Sequence, residues 1–87
     1  YQNYPNPFNP ETTIKYDIPN ESFITIKIYD ILGNLVRDLV NTNESPGYKS
    51  IKWDATDNEG QSVPAGLYLY SILANDFNLT KKMILLK

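Results

Sequence analysis

Residues 23–29 read Phe-Ile-Thr-Ile-Lys-Ile-Tyr, and this period-two pattern constrains the fold more than any other stretch of the chain. A strand points successive side chains to opposite faces, so Ile24, Ile26 and Ile28 share one face while Thr25 and Lys27 share the other. Isoleucine and threonine are stiff at the first side-chain torsion and fit a pleated, half-buried surface better than a helix. The segment predicts a strand with one buried face. Residues 12–18 repeat the pattern: Ile14, Tyr16 and Ile18 on one face, Thr13, Lys15 and Asp17 on the other. Between the two, Pro19-Asn20-Glu21-Ser22 is a cluster of turn formers.

Further segments follow the same grammar. Ile31, Leu32, Leu35, Val36, Leu39 and Val40 fall in pairs four apart, a helical spacing. Gly33-Asn34 opposes a helix, since both residues favour turns, and Asp30 can accept backbone N–H groups two residues on. The reading is a hairpin with a turn at Asp30–Asn34, a strand at Leu35–Val40 and a bulge; a single helical turn is the alternative. Asn41 to Gly47 reads as a polar loop, Tyr48 to Trp53 as a strand, and Asp54 to Gly66 as a long loop with a short edge strand near Val63. Leu67 to Ala74 carries apolar residues on both faces, as expected of a strand central to a sandwich. Asn75-Asp76 is a tight-turn signal, and Leu79 to Leu86 is the last strand. Short strands with turns between them predict an all-β fold, an immunoglobulin-like antiparallel β-sandwich of about seven strands.

Eighty-seven residues make one domain, and a domain of that size buries only about two-thirds of the surface its unfolded chain would expose. With no cysteine, neither disulfides nor thiolate metal sites reinforce the core. Aromatic residues, seven of them tyrosine, make up 13% of the chain and favour the same β class. The formal charge of −2 is spread along the chain and builds no basic stripe for nucleic acid. No apolar run approaches the ~20 residues of a membrane span. The chain carries no leading charged-then-apolar signal and no initiator methionine, so it reads as a piece from the end of a longer protein.

Reactive equipment is scarce. Histidine and cysteine are both absent, which removes serine–histidine triads, cysteine–histidine pairs and the usual zinc ligands. No glycine-rich phosphate loop is present. Asp54, Asp57, Asn58 and Glu59 crowd one loop, a weak match to the alternating oxygen ligands of calcium loops. Capping of their own turns is the more ordinary use of such residues. Tyr29, Tyr48, Trp53, Tyr68 and Tyr70 form either a sugar-stacking platform or part of the core, and core is favoured for Trp53 and for one of Tyr68 and Tyr70. The expectation is therefore no catalytic residue, no metal site, no cofactor and no enzyme activity.

The two ends are distinctive. Tyr4-Pro5-Asn6-Pro7-Phe8-Asn9-Pro10 is too rich in proline for a central strand, because each proline removes an amide donor. Thr80-Lys81-Lys82-Met83-Ile84-Leu85-Leu86-Lys87 is an apolar, strand-like tail flanked by lysines. Those lysines are either solvated guards against edge pairing or part of a terminal strand that a receptor reads.

The two end segments, together with Thr13-Ile14-Lys15-Tyr16, Ile28-Tyr29-Asp30-Ile31-Leu32-Gly33-Asn34-Leu35-Val36, Trp53-Asp54, Gly60 and Pro64-Ala65-Gly66-Leu67-Tyr68, occur in an order that resembles the type A C-terminal sorting domain of the type IX secretion system of Bacteroidetes and related bacteria. The Trp-Asp, Gly and Pro-Ala-Gly-x-Tyr core is also similar to the immunoglobulin-like domain of flagellar hook-capping proteins. One departure is Ala55, where relatives often carry glycine. The resemblance spans essentially the whole chain: residues 1–11 as an extended proline-rich lead-in, residues 12–87 as the sandwich, together a single C-terminal sorting domain.

What the resemblance implies is a non-catalytic sorting signal that directs an N-terminal cargo domain of the same chain from the periplasm through the outer membrane to the cell surface or the medium. Its partners would be the type IX outer-membrane translocon and sortase components. The matched motif positions are Pro5, Asn6, Pro7, Gly33, Gly66, Tyr68, Lys81, Lys82, Met83, Ile84, Leu85, Leu86 and Lys87. Residues 83–87 and the adjacent strand edge are the expected recognition surface, since strand addition draws affinity from backbone hydrogen bonds. The alternatives are a carbohydrate-binding or adhesive immunoglobulin-like module appended to an extracellular enzyme, and a structural spacer or hook-cap domain. The corner role of a tyrosine whose hydroxyl ties to backbone falls to Tyr68.

Overall fold

The computed structural model describes residues 4–75 and 77–86. Among them six strands form: β1 (Thr12–Ile18), β2 (Ser22–Asp30), β3 (Leu35–Glu44), β4 (Gly47–Trp53), β5 (Gly66–Ala74) and β6 (Phe77–Leu85). They make two antiparallel sheets, a two-stranded sheet β1–β4 and a four-stranded sheet β3–β2–β5–β6. The sheets face each other as an immunoglobulin-like sandwich, and no helix forms among the described residues.

The alternation read from sequence is the alternation seen. Ile14, Tyr16 and Ile18 of β1 and Ile24, Ile26 and Ile28 of β2 all point into the core. Full burial of such side chains is worth roughly 1.5–3 kcal/mol each, so these two strands supply much of the favourable energy of a small domain. Trp53 and Tyr70, both fully buried, and Met83 and Leu85 of β6 complete the centre. No buried side-chain nitrogen or oxygen among the described residues lacks a hydrogen-bond partner. The Tyr16 hydroxyl donates to Glu44 Oε1 at 2.8 Å. Burial, and then the Glu44 carboxylate beside it, hold that phenol well above its ordinary value.

The expected hairpin, and not a helical turn, joins β2 and β3. Asp30 Oδ1 accepts from the amides of Leu32 and Asn34, both at 2.9 Å. The Gly33 amide donates to the Asp30 carbonyl at 3.1 Å, with Gly33 at a φ of +87°. Those bonds, the Asn34 amide first, keep the Asp30 carboxyl below the usual carboxylate range. The β2–β3 ladder shifts register between Ile26 and Lys27 and between Ile28 and Tyr29, so the expected bulge is present twice.

Three details differ from the sequence reading. The polar stretch Asn41–Glu44 is strand, not loop: Thr25 pairs with Asn41, Ile24 with Thr42 and Phe23 with Asn43. Polar side chains suit β3 there because they lie on an exposed sheet edge. The segment near Val63 gives only a single bridge, Thr56 to Ser62, and not a short edge strand. The outward face of β5 is not covered. Tyr68, Tyr70 and Ile72 face the core, whereas Leu67 and Leu73 face outward and are exposed.

Candidate functional site

The proline-rich lead-in lies against both sheets as a strap. The amide and carbonyl of Tyr4 each pair with Thr13 of β1 at 2.9 Å. Four residues later the Phe8 amide donates to the Ile84 carbonyl at 2.9 Å, and the Leu86 amide donates to the Phe8 carbonyl at 2.8 Å. This is a parallel bridge between Phe8 and Leu85, on the free edge of β6. Prolines break such a strand only where a donor is needed. Here the donors used belong to Tyr4 and Phe8, and Pro5, Pro7 and Pro10 fall between and beyond them. Asn6 supplies a substitute contact: its side-chain oxygen accepts from the Ile84 amide at 2.9 Å. Thr12 Oγ1, itself buried, donates to the Pro5 carbonyl at 2.7 Å.

Phe8 is the anchor of the strap. It is 1% exposed, in a run whose neighbours Pro5, Asn6, Pro7, Asn9 and Pro10 are all exposed. Its ring meets Trp53 at 5.7 Å between centroids, and Trp53 meets Tyr68 edge-on at 5.4 Å. The edge-to-face contact of Trp53 with Tyr68 adds to the burial itself. Trp53 Nε1 donates to the Thr56 carbonyl at 2.9 Å, and the Tyr68 hydroxyl donates to the Pro64 carbonyl at 2.6 Å. Tyr68 therefore has the backbone tie expected of a corner tyrosine. Burial, and then the charge of Asp30, raise its phenol above the ordinary value. Both Tyr68 and Tyr70 are core, where only one was expected; with Trp53 they offer no ring face to a sugar, and Tyr48 alone of the five aromatics is largely exposed.

Most of the predicted site residues converge on this end of the molecule. Asp30 pairs with Tyr68, and Tyr68 pairs with Met83, so the hairpin turn at Gly33, the start of β5 at Gly66 and the tail of β6 share one end of the four-stranded sheet. Pro5, Asn6 and Pro7 join them through the strap. Gly66 begins β5 at a φ of +148°, with open space around it, so the backbone and not crowding calls for glycine. Met83 and Leu85 point into the core; Ile84 and Leu86 point out and are about half exposed. Lys81 is half-buried and Lys82 exposed. Lys87 lies outside the described residues, as does Asp76 of the tight-turn signal. Ile31, Leu32, Leu35 and Leu67 add exposed apolar surface at the same end.

The loop after Trp53 spends its oxygens on its own turns. Asp57 Oδ1 accepts from the amides of Glu59 and Gln61 at 2.9 and 3.0 Å. Asp54 accepts from Thr56 and faces Arg37 at 3.9 Å; these two contacts, the hydroxyl first, hold its carboxyl below the usual range. Asn58 lies along the outer edge of β3, giving its amide to the Val36 carbonyl and taking the Asp38 amide on Oδ1. Among the described residues no group of three or more Asp or Glu side chains is placed to hold a metal ion. Ala55 adopts a φ of +65°, a left-handed conformation that costs a non-glycine residue about 1 kcal/mol or more, while its side chain is buried.

Sequence reasoning quoted Phe8 within a motif but did not assign it to the site. The available signal was one apolar ring inside a run of prolines and asparagines, with no alternation to suggest which face it met. At the opposite end of the sandwich an apolar cavity of about 410 Å³ opens between the sheets, lined in part by Ile18, Ile24, Ile72, Ala74, Phe77 and Leu79.

Comparison with known proteins places the chain. Over 98% of its length it superposes on part of the crystal structure of dimeric latent PorU from Porphyromonas gingivalis, with 26% identity and a TM-score of 0.77. It likewise matches PorZ, an essential surface component of the type IX secretion system of the same organism, over 99% of its length with 21% identity and a TM-score of 0.71. FlgD from Xanthomonas campestris matches over 86% of the chain with 24% identity and a TM-score of 0.66. The chain spans only 9% of PorU, 11% of PorZ and 55% of FlgD. No curated protein sequence matches it. The model of the FlgD Ig-like domain matches residues 9–76, and the chain belongs to that family.

Proposed function

We propose that this domain is a non-catalytic sorting module, which a type IX outer-membrane machinery recognises in folded form and which carries a cargo domain of the same protein to the cell surface. One observation carries the reading. Motif positions scattered from Pro5 to Leu86 gather at one end of the four-stranded sheet, where exposed Ile84 and Leu86 lie beside the strap and exposed Leu67 and the Gly33 turn lie at the same end of the neighbouring strands. A surface assembled from such distant segments exists only in the folded chain. The occurrence of this fold within PorZ, a type IX surface component, supports the reading at the level of fold. So does the small share of PorU and PorZ that the chain covers, as befits a module of a larger protein.

A reporter protein fused ahead of residues 1–87 tests it in a bacterium with a working type IX system. The expected result is surface delivery of the fusion and periplasmic retention of the reporter alone. Equal delivery of both would remove the sorting role. A glycan array probed with the same domain addresses the carbohydrate-binding alternative, and the expected result is no binding dependent on Tyr48, the exposed ring.

A further inference from the structure

The edge of β6 at Ile84–Leu86 is already occupied, and the occupant shows what the edge accepts. Three contacts define the seat: the Ile84 carbonyl and the Leu86 amide hold the backbone of Phe8, and the Ile84 amide holds the side-chain oxygen of Asn6. The slot over Trp53 takes the Phe8 ring. We infer that this edge is an exchangeable strand-acceptor site, in which the strap competes with an external extended segment running parallel to β6. The fitting segment carries an aromatic side chain for the Trp53 slot and an Asn or Asp two residues before it. Recognition by strand addition works in this way, with backbone bonds for affinity and one pocket for selection. The inference rests on the sorting reading only for its biological use, since an occupied edge is closed to a receptor until the strap leaves.

The strap is built to leave by itself. Between Tyr4 and Pro10 only Phe8 is buried, and the other side chains lie in solvent. Removing the strap breaks no pairing within either sheet, because β6 keeps its full ladder to β5 from Gly66–Leu85 to Ala74–Phe77. Segments with few buried contacts open at lower free energy than the whole fold.

Amide hydrogen exchange on the complete 87-residue chain tests this directly. In an antiparallel ladder alternate amides face alternate sides, so Ile84 and Leu86 face the strap while Met83 and Leu85 face β5. The expected result is exchange at Ile84 and Leu86 roughly tenfold or more faster than at Met83, Leu85 and Ile26, with little dependence on low urea. Equal protection and equal urea dependence at all five amides would overturn the inference, because the strap would then leave only when everything unfolds. As a second arm, a heptapeptide spanning residues 4–10 is added to the full chain carrying Phe8→Ala. The peptide is expected to slow exchange at Ile84 and Leu86, and the same peptide with Phe8→Ala is expected not to. Failure of the native peptide to protect these amides counts against the site even if exchange in the unaltered chain is fast. Export is read in cells and strap exchange in vitro, so either proposal can fail without the other.

Discussion

The two ends of this sandwich treat the same strand differently. At its C-terminal end β6 buries Met83 and Leu85 completely, while at its start Phe77 is 57% exposed and Leu79 only half-buried. The residue types are alike and the sheet is continuous, so neither hydrophobicity nor pairing explains the contrast. The cause is coverage. A two-stranded sheet cannot span a four-stranded one, and the shortfall leaves part of the larger sheet's inner face without a partner. At one end the strap fills the gap with Phe8 over Trp53; at the other none of the described residues does, and the cavity of about 410 Å³ remains. In a small sandwich, apolar patterning selects the inward face, but a neighbouring segment decides whether that face is dry.

The sharpest way to break this comparison is at the closed end. Trp53→Ala should cost about 3–5 kcal/mol, enough to leave much of a domain of this size unfolded, as read by urea denaturation. Tyr48→Ala on the outer face should change stability by less than about 0.5 kcal/mol. A matched pair along β6 follows. Met83→Ala should cost about 2–5 kcal/mol and Leu79→Ala less than about 1 kcal/mol, although both residues face inward. Equal costs would mean that coverage is not the cause. Phe8→Ala should cost about 2 kcal/mol, the burial of one ring, and should expose Trp53, read as a red shift of its fluorescence.

At the open end the expectation changes sign. Ala74→Leu places added methyl groups in the cavity and should stabilise by about 0.5–1 kcal/mol, whereas the same enlargement in a filled core would destabilise. A final, smaller effect is on pH. The Tyr16 phenol holds its proton more tightly in the folded chain than in the unfolded one. Its contribution is therefore complete below about pH 10, the value of a free tyrosine, and is lost as pH rises beyond it. Tyr16→Phe should make denaturation midpoints fall less steeply above that pH. Tyr68, whose phenol is also raised, keeps part of the alkaline loss.

The strands were legible because period two is a local signal. Ile24, Ile26 and Ile28 declare their face without reference to any other segment, and Asp30 with Gly33-Asn34 declares the turn by the chemistry of one carboxylate and two amides. What the alternation could not convey is partnership. Leu67-Tyr68-Leu69-Tyr70 reads as apolar on both faces, yet only the partner sheet determines which face is covered. Asn41-Thr42-Asn43 reads as loop by composition and is strand because a long β2 lies beside it. The site was legible as a set of motifs and not as a place. Nothing local to Pro5-Asn6-Pro7-Phe8 names Ile84 as its neighbour, 76 positions beyond Phe8 (84 − 8), and the contact exists only once both sheets have formed.

Surface delivery of two matched reporters tests the central claim most directly, because it separates the ends while sparing the core. One fusion carries Ile84→Ser with Leu86→Ser beside the strap; the other carries Phe23→Ser with Leu73→Ser on exposed positions at the opposite end. With both shown by circular dichroism to be folded, the first should remain in the periplasm and the second should reach the surface. Delivery of both in equal measure, or retention of the second alone, would contradict the account.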